Sequence, residues 1–143
     1  MPHLVIYYTP NLEADTDMAA LCRTMANAML TVKDEAGKQV FPTGGTRVLA
    51  YPAAHFAIAD GGAAGEAAGL GRNYAFVYMN VRMAKGRSAL VHQRVGDTLN
   101  ACVHEWFGAQ FKSRPIGVTV QVDEGHEVFD AKNSSLHPLF NKS

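Results

Sequence analysis

Cysteine is scarce in this 143-residue chain: only Cys22 and Cys102 occur, eighty positions apart. No Cys-x-x-Cys pair, His-rich tract or paired-carboxylate spacing is present, which excludes the usual structural zinc and redox-dithiol patterns. Each cysteine sits inside an apolar helical pattern and reads as a small core hydrophobe. Long hydrophobic runs are also missing. None approaches the ~20 residues of a membrane span, and the N-terminus lacks a basic region followed by an apolar one. These absences point to a reduced, cytoplasmic protein with no membrane partner. Charge of one sign is lacking too, because 13 Lys and Arg balance 13 Asp and Glu. Duplex nucleic acid calls for a surplus of cations, so any anion must be met locally. Nucleotide-binding, hydrolase and His-Glu-x-x-His signatures are absent.

What is present suits one domain over residues 1–143. With 48% hydrophobic and 18% charged residues, the chain can fill a core without disulfides or metal. His3 to Thr9, with Leu4 to Tyr8 at its centre, reads as a buried strand closed by Pro10-Asn11. Met18, Leu21, Cys22, Met25, Met29 and Leu30 form the stripe of an amphipathic helix, with Asp15 or Thr16 as its cap. A second strand region runs from Thr46 to about Ala59, interrupted by Pro52, which suits an edge or a bulge. Positions 61 to 72 hold five Gly and four Ala, a composition expected to form a mobile loop.

Tyr74 to Met83 is a third strand whose alternation predicts that both faces are covered. A second helix starts after Gly86 and carries Val91, Val95, Leu99, Cys102 and Trp106. A fourth strand, Pro115 to Asp123, sets Ile116, Val118, Val120 and Val122 against Gly117, Thr119 and Gln121. This order makes two pseudo-repeats, about 2–60 and 73–124, with a tail from 125 to 143. The class is α+β: tandem βαβ units in a four-stranded mixed sheet. Right-handed crossovers put both helices on one face, and the bare face calls for a partner, most economically another copy.

Three positions could carry chemistry. Pro2 follows the initiator methionine; if the methionine is removed, a secondary amine remains at a strand end. Such an amine starts near a pKa of about 7.7–8.0, and desolvation or nearby cations lower it into the range of a neutral base. Many proteins also carry a proline second with no chemistry attached. Arg87, in Lys85-Gly86-Arg87-Ser88, lies at a helix start where free N–H groups welcome an anion. Arg87 and Lys85 could complete a carboxylate site there, or Arg87 could be solvated beside a Ser88 cap. Arg47 follows Gly44-Gly45-Thr46 and opens the second strand, where it could be an ordinary edge-strand charge. The six histidines are scattered.

At Met1-Pro2-His3, Phe41-Pro42-x-x-Gly45-x-Arg47, Tyr74-Ala75-Phe76-Val77-x-Met79, Gly86-Arg87-Ser88 and Asn133-x-x-x-His137-x-Leu139-Phe140, the chain resembles 5-carboxymethyl-2-hydroxymuconate isomerases of the tautomerase superfamily. The likeness is colinear over nearly the whole chain. It implies a homotrimer with helices outside and sheets facing the centre. It also implies a cofactor-independent keto–enol tautomerase in aromatic-acid catabolism, with no metal and a di- or tricarboxylate substrate of the 2-hydroxymuconate type. By position, Pro2 would be the general base and acid, and Arg47 and Arg87 would bind carboxylate and enolate, with Lys85 nearby. The Gly/Ala segment 61–72 falls between the arginines in sequence and is expected to reshape or cover the pocket. Two rivals stand beside this reading: another reaction of the superfamily, decarboxylation or hydration, and a non-enzymatic ferredoxin-like binding module. In the second rival, a hairpin would join the second and third strands.

Overall fold

The computed structural model describes residues 3–140; Pro2 lies outside them. Strand β1 (His3–Tyr8) is followed by helix α1 (Met18–Leu30), β2 (Arg47–Pro52), a short α2 (Ala63–Ala67), β3 (Ala75–Met83), α3 (Ala89–Ser113) and β4 (Ile116–Glu124). The sheet order is β2-β1-β3-β4. β1 runs parallel to β2, and β3 parallel to β4, while β1 and β3 meet antiparallel in the middle. Each half is therefore a parallel βαβ unit. No hairpin joins β2 to β3, so the ferredoxin-like arrangement is excluded.

Register sorts the sheet into two faces. Leu4, Val48, Val81 and Val122 share one row, and Ile6, Ala50, Met79 and Val120 the next. These rows bury themselves against Leu21, Met25 and Met29 of α1 and Val91, Val95, Leu99, Val103 and Phe107 of α3. The opposite face bears the rows Arg47–His3–Arg82–Asp123, Leu49–Val5–Asn80–Gln121 and Tyr51–Tyr7–Tyr78–Thr119. No helix covers it. Tyr7, Tyr51, Leu49 and Phe76 remain 52%, 48%, 43% and 37% exposed, so the expectation that both faces of β3 are covered fails within a single chain.

Several local expectations also shift. The α1 cap is Asp17, whose carboxylate accepts from Ala20 N at 3.0 Å. Asp15 and Thr16 are engaged elsewhere, by Arg114 at 3.1 Å and Gln110 at 2.9 Å. β2 stops at Pro52, seven residues earlier than the sequence suggested, where its register with β1 ends at Tyr8. The α3 stripe proceeds in steps of four to Val103 and Phe107. Cys102 and Trp106 thus lie half-buried on its flank, and Cys22 is half-buried as well; neither cysteine is a core residue.

The segment 61–72 is the largest correction. Gly62 (φ +115°) enters α2, and Asp60 caps it by accepting from Gly62 N at 3.0 Å and Ala64 N at 2.9 Å. Gly65 N donates to the Tyr74 hydroxyl at 2.9 Å. A Cβ at Gly65 would lie 2.3 Å from Gly71 O, 2.6 Å from the Tyr74 ring and 3.3 Å from Pro115. Small residues are needed here because the turn packs this closely. Tyr74 and Pro115 precede β3 and β4, so the segment sits at the end of the sheet opposite Arg47, and does not cover the arginines of its own chain.

Candidate active site

The candidate residues gather where β1 and β2 begin and β3 ends. His3 is the register partner of Arg47 on one side and of Arg82 on the other. Arg47 is half-buried and donates to Gly45 O at 2.8 Å. Burial first, and then the Arg47 guanidinium, hold the His3 imidazole below its ordinary 6.5. Two arginines thus flank, on the neighbouring strands, the residue bonded to Pro2.

Arg87 reaches the same end from the β3–α3 turn. Ser88 caps α3 by accepting from Val91 N at 3.2 Å, and its hydroxyl donates to Glu35 at 2.9 Å. The loop that carries Glu35 is shaped by Asp34, whose side chain accepts from Ala36 N and Lys38 N, both at 2.9 Å. Gly37 supplies the left-handed turn residue at φ +78°. This loop holds Arg87 in place: its guanidinium donates to Val40 O at 3.2 Å and pairs with Asp34 at 3.5 Å. The N–H of Lys38 foremost, with those of Ala36 and the Arg87 charge, keeps the Asp34 carboxyl below the usual range. Ser88 is thus the expected cap, while Arg87 is held by Asp34 and Val40 rather than standing free in solvent.

Beside Arg87 lies a cleft of about 260 Å³, just under the size of typical small-molecule pockets, ~300–1,000 Å³. Val40, Phe41, Pro42 and Met83 form apolar walls. Three nitrogen-bearing side chains enter it: Arg87, Lys132 and His137. An arginine fork matches a carboxylate in two bonds, and apolar walls strengthen that attraction by lowering the local dielectric. Arg47 lies at the same end of the sheet but does not line the cleft, and Lys85 is exposed in the turn, outside the lining.

Lys132 and His137 belong to the tail. The Asn133…His137…Leu139-Phe140 pattern was visible in the sequence, but nothing in its spacing shows that it folds back on Gly44. Perturbed titration elsewhere is structural: Tyr8 is pushed up to about 12 by burial and by donating to Glu13 at 2.7 Å. Among the described residues, no group of three His, Cys, Asp or Glu is placed to hold a metal ion, and no helix is long and apolar enough to cross a membrane.

Tandem βαβ units meeting antiparallel at β1 and β3 frame a cation-lined cleft where β1 begins, and the chain is an isomerase. The chain belongs to the 5-carboxymethyl-2-hydroxymuconate isomerase family, whose model matches residues 2–140. The 5-carboxymethyl-2-hydroxymuconate Delta-isomerase of Escherichia coli is 24% identical over 140 residues, 98% of this chain and 99% of that one. A crystal structure of a 5-carboxymethyl-2-hydroxymuconate delta-isomerase superposes with a TM-score of 0.95 at 55% identity, covering 100% of this chain and 95% of the other. The 5-carboxymethyl-2-hydroxymuconate isomerase of Deinococcus radiodurans R1 gives 0.80 at 28% identity, covering 99% and 95%.

Proposed function

We propose that this protein converts 5-carboxymethyl-2-hydroxymuconate from its dienol to its ketone in aromatic-acid catabolism, with Pro2 as the proton carrier and no cofactor. The Pro2 nitrogen takes the proton of the 2-hydroxyl and returns it to a carbon of the conjugated chain. The negative charge that spreads over the dienolate in between is met by Arg47 and Arg87. The observation that carries this reading is the pair of arginines, Arg47 and Arg82, that flank His3 in register, next in sequence to Pro2. Cations beside a prolyl amine disfavour its protonated form, which favours a neutral base at pH 7. The chain acts as one domain of two half-units, about 2–60 and 73–124. Three copies bury their open sheet faces against one another, and the two free thiols suit the cytoplasm.

The scheme requires a free Pro2 nitrogen, so the purified protein should weigh one methionine less than its translated sequence. A folded Pro2→Ala variant should lose roughly 100-fold or more in kcat, the scale of a general acid–base contribution. Wild-type rates in that variant would overturn the mechanism. Product NMR completes the test: a ketone isomeric with the substrate is expected, whereas loss of carbon dioxide or gain of water would reassign the reaction to a decarboxylase or hydratase.

A further inference from the structure

We infer that the tail builds a separate subsite for the carboxymethyl carboxylate of the substrate, with Lys132 as its cation and His137 as its second donor. The inference rests on the functional reading above. That substrate carries three carboxylates, one more than 2-hydroxymuconate. Arg87 supplies one cation within the cleft, and both Arg47 and Lys85 stand outside its lining. The remaining nitrogen-bearing side chains in the lining are Lys132 and His137.

The tail is fitted to this place. A Cβ on Gly44 would fall 3.0 Å from His137 Cα, 3.1 Å from His137 Nδ1 and 3.1 Å from the Phe140 ring. Glycine at this position is what lets the tail lie against the turn that leads into β2. Ser134 Oγ accepts from Leu136 N at 3.1 Å and His137 N at 3.0 Å, which sets the short turn His137–Leu139. His137 is thereby seated across the cleft from the β3–α3 turn. Lys132 pairs with Asp130 at 2.6 Å, as Arg87 pairs with Asp34. An ammonium has three donors, so one bond to Asp130 leaves two for a ligand, and an exposed pair of this kind holds weakly.

Kinetics with two substrates test the inference. Lys132→Met and His137→Gln should each raise KM for 5-carboxymethyl-2-hydroxymuconate about tenfold, the scale of one charge-assisted hydrogen bond. For 2-hydroxymuconate, which lacks the carboxymethyl group, KM should stay within about twofold, and kcat should hold for both substrates. Lys132→Arg, which keeps the charge, should behave like wild type. An equal rise for both substrates would mean that the tail only supports the fold, and no rise for either would remove the subsite; each result overturns the inference. If the wild-type enzyme turns over neither substrate, the functional reading fails instead. Calorimetric binding of the two acids then decides the subsite on the same criterion: Lys132→Met must weaken the tricarboxylate alone.

Discussion

Arg87 is exposed, yet four interactions decide where its guanidinium sits: the Asp34 pair, Val40 O, and the two bonds through which Ser88 fastens α3 and Glu35. Lysine retains the charge but loses the planar fork. Arg87→Lys should therefore raise KM by ten- to 100-fold, the range for one hydrogen bond to a charged group, and leave the unfolding midpoint nearly unchanged. Steady-state rates and a urea titration check both halves. A residue-level reading of the sequence reached Arg87 because helix starts and glycine turns are local. It could not reach Asp34, which pairs with Arg87 from 53 positions away, or Lys132, which lines the same cleft from the tail.

Among the elements, the strands and the two long helices were legible because alternation and four-residue spacing follow directly from burial. The segment 61–72 was not, since composition reports what glycine permits and is silent on what packs against it. The same substitution should accordingly have opposite signs in two elements. Gly65→Ala pushes a methyl group into Gly71 O and the Tyr74 ring, and should destabilise by about 1–3 kcal/mol. Gly108→Ala, inside α3 with nothing within 4 Å of the added atom, should stabilise by about 0.8–1.0 kcal/mol. Urea midpoints of the two variants measure the contrast. The α3 stripe was misread for a related reason. Trp106 and Cys102 satisfy helical spacing as well as Phe107 and Val103 do, and only the packed sheet distinguishes them.

For the whole molecule, net neutrality conceals a division of labour between the two faces of the sheet. The helix-covered face is apolar and complete. The other changes along its length from the Arg47–His3–Arg82 row to an aromatic row in which Tyr7 lies 6.0 Å from Tyr51 and 6.3 Å from Tyr78, ring centre to ring centre. Water gains nothing from that aromatic row, so the proposed trimer should form through it while the cationic row serves the site. Light scattering should give a particle of about three times 15.4 kDa for the wild type. Tyr7→Glu places a charge in the aromatic row and should release single chains. Phe111→Glu, at an exposed position on the helix side, should leave the trimer intact. If both variants stay trimeric, or both dissociate, assembly does not run through the open face. If Tyr7→Glu alone dissociates and also loses activity, the cations of one chain need a neighbour's sheet to complete the pocket, and the bare face belongs to catalysis as much as to assembly.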